Sequence, residues 1–251
     1  MRHCSGPNGV LTDDLGHVWA GDGAGTIIEA DATKPGTAVI RKIPTGGKFR
    51  VDELAYDPID KILMTSNDGD APPFLTFISV TDGSVLGHYY YPKDQDGMEQ
   101  PTWDPDTRWF YQNVPGTKNR IEGGVLDLTL SGLTYGPKGR LMTVCGSIGG
   151  MSIDARTGKT GTPIPQVGDT DEVWYDPGTN SYYFAHTSEG ETELSSARAG
   201  AVGVVEAASE KFVADIPFEG AGIHSVAVNA KNRHIFVPVY GKGIYVVTPD
   251  K

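Results

Sequence analysis

A seven-residue phrase returns along this chain at a spacing that few folds can accommodate. Asp52-Glu53-Leu54-Ala55-Tyr56-Asp57-Pro58 is echoed by Glu99-Gln100-Pro101-Thr102-Trp103-Asp104-Pro105 and by Asp171-Glu172-Val173-Trp174-Tyr175-Asp176-Pro177. Weaker copies are Asn8-Gly9-Val10-Leu11-Thr12-Asp13, Ser131-Gly132-Leu133-Thr134-Tyr135-Gly136-Pro137 and His224-Ser225-Val226-Ala227-Val228-Asn229. Anchored on the Asp, Gly or Asn at 13, 57, 104, 136, 176 and 229, the copies lie 44, 47, 32, 40 and 53 residues apart. Self-similarity at this period, in units rich in short strands, predicts a β-propeller.

Each unit has the same internal order. The phrase is strand one, and its Asp-Pro or Asn-Ala ends it in a turn because proline has no N–H for a ladder. Strand two is hydrophobic, as in Val18-Trp19-Ala20, Ile62-Leu63-Met64-Thr65 or Tyr182-Tyr183-Phe184-Ala185. A third run follows (Thr26–Ala30, Phe74–Ile78, Ala201–Val205), then a fourth (Ala38–Ile43, Val85–Tyr89). Runs of β-branched and aromatic residues between Gly, Pro, Asn and Asp clusters are strands, and no sustained helical period competes with them. The expectation is one all-β domain over 1–251, a propeller of about six four-stranded antiparallel blades. The units span approximately 6–50, 51–97, 98–130, 131–169, 170–221 and 222–251. The third and sixth look incomplete, and the chain begins almost directly with the first phrase. Either the propeller is loosely closed or the sequence lacks N-terminal and third-unit segments of a longer precursor.

With 251 residues, 33 glycines, 17 prolines and 38% hydrophobic residues, the chain can bury a sizeable core. Its net charge of −11 repels phosphate backbones and anionic bilayers, so neither nucleic acid nor membrane is an expected partner. No apolar run is long enough to span a bilayer. Met1-Arg2-His3-Cys4 is too short and polar for a signal peptide, which favours the cytoplasm; a truncated N-terminus would leave secretion open. Cys4 and Cys145 fall in the first and fourth units and are not expected to bridge. Oligomeric state is not legible.

Strand one of a propeller blade is innermost, so its first residues meet at one mouth of the central channel. There the repeats supply Asn8, Asp52, Glu99, Ser131, Asp171 and His224, followed by Gly9, Glu53, Gln100, Gly132, Glu172 and Ser225. Strand two returns to the same mouth with residues that include Asn67, Asn113, Cys145, His186 and Tyr240. Convergent polar groups in a concavity mark the first place to look for chemistry. Crowded carboxylates at Glu53, Glu99, Asp171 and Glu172 would raise one another's pKa or draw a cation. His224 is the sharpest candidate, as acid, base or ligand, against the alternative of a satisfied channel histidine. His186 stands beside a polar stretch, Thr187–Glu193, that reads as a lid or as a surface loop. His3, His17, His88 and His234 read as surface. Hydrolase elbows, zinc-protease pairs, Cys-x-x-Cys pairs and P-loops are absent. Ser225 beside His224 makes no triad, because strand neighbours face opposite ways.

On Ser5–Val10, Asp52–Pro58, Gly168–Pro177 and His224–Asn229, the chain resembles the YncE-like and lactonase-like propeller superfamily. That resemblance implies a divalent cation at the channel mouth in its gluconolactonase and streptogramin-lyase branches, with Asn8, Glu53 or Glu99, Asp171 and His224 in equivalent places. The short units and aromatic strands are also similar to fungal hetero-Diels–Alderases of tropolone sesquiterpenoid biosynthesis.

Three functions are carried forward. The first is a cofactor-free cyclase of a secondary-metabolite pathway, binding a small molecule at the channel mouth. Such an enzyme needs a shaped apolar site and a hydrogen-bond donor, and no nucleophile. His224, Glu99, Gln100 and Glu172 would act on the substrate. Asn8, Glu53, Ser131, Asp171, Trp103, Trp174, Tyr135, Tyr175, His186 and Tyr240 would bind it. The second is a lactonase, hydrolase or lyase in which Ca2+, Mg2+ or Zn2+, held by Glu53, Asp171, Asn8 and His224, polarises an ester and activates water. The third is a non-catalytic binding scaffold.

Overall fold

The computed structural model describes residues 8–34, 36, 38–92, 97–114, 130–187, 200–218, 222–239 and 241–248. Every extended segment in it belongs to an antiparallel meander in which strands pair in chain order. Contacts divide the chain into two units, Met1–Gly124 and Val125–Lys251.

In the first unit, β1 (Val10–Thr12), β2 (His17–Asp22), β3 (Thr26–Asp31) and β4 (Ala38–Pro44) form one four-stranded sheet. A second consists of β5 (Leu54–Asp57), β6 (Ile62–Asn67), β7 (Phe74–Ser79) and β8 (Val85–Tyr90), and a two-stranded sheet of β9 (Pro101–Asp104) and β10 (Trp109–Gln112). The second unit contains β11 (Leu130–Gly136), β12 (Arg140–Cys145) and β13 (Gly149–Asp154). A four-stranded sheet follows, of β14 (Thr170–Asp176), β15 (Ser181–Thr187), β16 (Gly200–Glu206) and β17 (Lys211–Phe218). The last sheet is β18 (Ala227–Val228), β19 (Ile235–Val239) and β20 (Gly243–Val247). Among the described residues this makes six sheets, five of three or four strands and one of two. The outer part of the third repeat (115–129), Cys4, the 188–199 stretch and Tyr240 lie outside the described residues.

The recurrent anchor residue is a turn device. Asp57 Oδ1 accepts the main-chain N–H of Ile59 (2.8 Å) and Asp60 (3.2 Å), and Asp104 accepts that of Asp106 (2.9 Å). Asp176 accepts those of Gly178 and Thr179, and Asn229 that of Lys231. A short side chain that binds the backbone two residues on closes an Asx turn. The next strand is entered through a left-handed residue: Gly16, Lys61, Arg108, Asn180 and Arg233 all have positive φ.

Alternation along each strand buries one face against the next sheet. Between the first two sheets of the first unit lie Trp19, Ile27, Leu54, Leu63 and Ile78. Ala55, Met64, Leu75 and Met98, with Phe77 and Phe110 against them, fill the layer between the second sheet and β9–β10. The second unit has two such layers, one around Met142, Val167, Val173 and Phe184, the other around Val202, Val226, Ile235 and Val237. A charged chain also threads the first layer. Glu29, fully buried, takes Arg41 as its ion-pair partner, and His17 stands 3.2 Å from Asp13 and 3.1 Å from Glu29. Arg41 also donates to the carbonyl of Val80 (3.2 Å), tying the two sheets together. The expectation that His17 is a surface residue is corrected here: it is half-buried between two carboxylates.

Candidate functional site

Within each unit, polar residues that begin the inner strands come together. In the first, Arg50 is the hub. Its Nη2 lies 2.6 Å from Asp52 Oδ2 and 3.4 Å from Asp68 Oδ2, and its Nη1 donates to Asn8 Oδ1 at 3.3 Å. Asn8 also donates to Asp52. Asp52 is buried. That burial, together with the charge of Asp68, pushes its carboxyl up to about 6, against the pull of Arg50. Arg50 went unselected by the repeat, because a cation two residues before the phrase has no counterpart in the other copies.

Glu53, Glu99 and Gln100 are half-buried. The Glu53 carbonyl accepts from the N–H of Ser66 (3.2 Å) and the hydroxyl of Thr65 (3.1 Å). The N–H of Glu99 donates to the carbonyl of Asn113 (3.0 Å). Trp103 is buried on β9, in register with Phe110.

The second unit holds the tighter constellation. His224 Nε2 is 2.9 Å from Asp171 Oδ2, and its Nδ1 is 3.4 Å from Glu172 Oε1. Consecutive residues of a regular strand cannot both reach one partner, since their side chains leave opposite faces. Here they can, because β14 is bulged: Thr170 pairs with His186 and Glu172 with Ala185, so Asp171 is an extra residue with no partner. A bulge re-aims side chains. Just before His224, Ile223 is buried in the apolar layer and bridges to Val239, fixing the imidazole's base. Hydrogen bonding to Asp171, then to Glu172, pushes the His224 pKa up to about 11. The ring is therefore an imidazolium at neutral pH. Its side chain is 64% exposed, so solvent screens part of the attraction.

The remaining candidates are placed as follows. Ser131 donates its hydroxyl to the carbonyl of Thr170 (2.5 Å), linking β11 to β14. Tyr135 and Tyr175 meet edge to face, centroids 5.7 Å apart, and Tyr175 packs on Tyr182. Those rings meet where β11–β13 packs on β14–β17. Trp174 is 40% exposed on β14. His186 is buried, with Nε2 2.8 Å from Asp215 Oδ1. It reaches that carboxylate across Gly203, where any side chain would press on the ring and on Val167. Among the described residues, no three or more His, Cys, Asp and Glu side chains are grouped to hold a metal ion. Nor is any helix among them long and apolar enough to cross a membrane.

No protein-family model and no curated protein matches the sequence. Solved structures do. A chain of Kuenenia stuttgartiensis hydrazine synthase superposes with a TM-score of 0.71 at 14% identity, over 94% of this chain and 74% of that one. A chain of a mitotic checkpoint complex gives 0.72 at 12% identity, over 99% and 77%. Dihydro-heme d1 dehydrogenase NirN, in complex with DHE, gives 0.64 at 15% identity; the match takes in 99% of this chain and 55% of NirN. The fold is a β-propeller. At these identities the likeness is one of fold, and two of the three matches are to enzymes by their names.

Proposed function

We propose that this propeller is a small-molecule enzyme of the hetero-Diels–Alder type, in which the His224 imidazolium is the hydrogen-bond acid and neither a metal nor an organic cofactor takes part. The observation that carries the proposal is the pairing of His224 with Asp171 and Glu172. Two carboxylates keep the ring protonated, and a protonated ring is a donor at both nitrogens and a ligand at neither. The Nδ1 contact with Glu172, at 3.4 Å, is the looser of the two. A substrate carbonyl takes that N–H, and Asp171 holds the other. Polarising a conjugated carbonyl withdraws electrons from the heterodiene, and an alkene held beside it closes two bonds with every atom retained. Such a reaction asks for position and one donor, with no nucleophile or redox group. The resemblance to fungal cyclases supports the reaction type and a place in a secondary-metabolite pathway, and the repeat phrases support the YncE-like kinship.

The test is an assay with an o-quinone methide generated in situ and a cyclic alkene. Removing a positioned acid costs about 10²-fold or more in rate, so His224→Gln is expected to lose turnover and product stereoselectivity together. Wild-type activity is expected to hold from neutral pH well into the alkaline range and to fall only as the imidazolium deprotonates near 11. A chelator is expected to change nothing. Wild-type turnover and selectivity in His224→Gln would reduce the histidine to a wall residue. Activity lost in chelator and restored by Ca2+, Mg2+ or Zn2+ would replace the proposal with a metal-dependent lactonase or lyase.

A further inference from the structure

Among the described residues, five buried side-chain atoms lack a hydrogen-bond partner: His17 Nδ1, Ser66 Oγ, Asp68 Oδ1, Trp103 Nε1 and Gln112 Oε1. His17 has two carboxylates at ion-pair distance, and Asp68 turns its other oxygen to Arg50. The other three belong together. On β6, Ser66 lies two residues from Met64 and so shares its face. Met64 belongs to the apolar layer that packs on Phe110 of β10. Trp103 is in register with Phe110, and Gln112 is two residues beyond it, so both occupy the β9–β10 face that meets β6. The two faces touch, with the Phe77 and Phe110 rings 6.2 Å apart. One layer between two sheets of the first unit therefore receives a hydroxyl, an indole N–H and an amide oxygen, each without a protein partner.

A layer built only for packing has no use for these groups, since a buried polar atom left unpaired is destabilising. Ser66 is 0% and Trp103 8% exposed, so bulk water does not serve them. Nor can Gln112 turn away: its Nε2 donates to the carbonyls of Asn113 (3.0 Å) and Glu99, which leaves Oε1 as the outward acceptor. Indole offers only a donor and the amide oxygen only an acceptor. A single guest atom that answers both must accept one hydrogen bond and donate another, which a hydroxyl does. Ser66, able to donate or accept, completes its shell.

We propose that this layer is a binding site for the hydroxyl of an otherwise apolar small molecule. The guest oxygen accepts from Trp103 Nε1–H, its proton goes to Gln112 Oε1, Ser66 Oγ supplies the third contact, and Met64, Leu75 and Phe110 cover the carbon skeleton. The site owes nothing to His224 chemistry, and each stands or falls separately.

The probe pair is p-cresol and toluene, which share a skeleton and differ by the hydroxyl. In 15N-labelled protein the indole signal of Trp103 is assigned by its loss in Trp103→Phe. Addition of p-cresol is expected to shift that signal saturably, with toluene about tenfold weaker, and Ser66→Ala to weaken p-cresol about fivefold, the value of one hydrogen bond. Without probe, Ser66→Ala is expected to melt no lower than wild type, because it removes an unpaired group. No saturable shift, equal response to toluene, or full p-cresol affinity in Ser66→Ala would overturn the site. A lower melting temperature for unliganded Ser66→Ala would overturn it too, since the hydroxyl would then be satisfied internally by a structural water.

Discussion

At the scale of single residues, Gly136 shows what a repeat hides. Every other anchor in its column is Asp or Asn and closes a turn with its side chain. At 136 a Cβ would overlap the hydroxyl of Tyr182, which reaches over from β15. Gly136→Ala is expected to lower stability by about 1–3 kcal/mol, as overpacking does. Adding Tyr182→Phe, which deletes the overlapped oxygen, is expected to recover part of the loss in a denaturant double-mutant cycle. Asp52 carries a second expectation, with a definite sign. Its folded pKa, about 6, lies above the ordinary carboxylate value of about 4. The folded chain therefore binds the extra proton, and this contribution is present below pH 4 and lost as pH rises through 6. Asp52→Asn is expected to flatten the fall in urea midpoint between those values; an unchanged slope would assign it elsewhere.

At the scale of elements, turns and bulges do what strand propensity does not. Gly16 has φ of +88°, and a methyl group there would stand 2.9 Å from Thr33 Cγ2. Gly16→Ala is expected to cost about 1–2 kcal/mol through the left-handed backbone alone, read as a drop in melting temperature. The bulge in β14 has the larger functional consequence. In a regular, unbulged strand Asp171 and Glu172 would face apart and His224 would keep one carboxylate. Deleting Asp171 is thus expected to restore regular pairing with β15 while His224, followed by NMR titration, falls from near 11 toward its ordinary 6.5. A His224 that still titrates near 11 would disprove that role for the bulge.

For the molecule as a whole, charge sets the pH of greatest stability. A net −11 means self-repulsion that eases as pH falls toward the sequence pI of 4.9, and Asp52 acts in the same direction. Opposing them are turn carboxylates held below the usual range. The Ser84 N–H and hydroxyl bring Asp82 to about 2, the Thr157 hydroxyl and N–H lower Asp154, and Lys34 with Thr33 lowers Asp31. These groups contribute stability above their unfolded pKa and lose it as pH drops through the folded value. The melting temperature is therefore expected to peak between about pH 4 and 6 and to be lower at pH 8; a maximum at pH 8 would contradict this balance.

The sequence by itself determined the all-β class, the propeller, the order of strands and nearly every strand's position. Those follow from hydrophobic alternation and from turn residues with local geometry, such as Asp57 and Asp104, which act within four residues of themselves. It also placed His224 beside polar neighbours at a strand start. What it left open depends on partners distant in the chain. A period-two rule sends Asp171 and Glu172 to opposite faces, and only the tertiary structure, by admitting one extra residue against β15, turns both toward His224. Tyr135 and Tyr175 read as walls for a substrate, and only the packing of two sheets sets their rings against each other. Ser66, Trp103 and Gln112 belong to three strands and carry no shared motif, so their common layer exists only once one sheet lies on the next. Local backbone chemistry is written in consecutive residues; which side chains end without a partner is decided by packing between sheets.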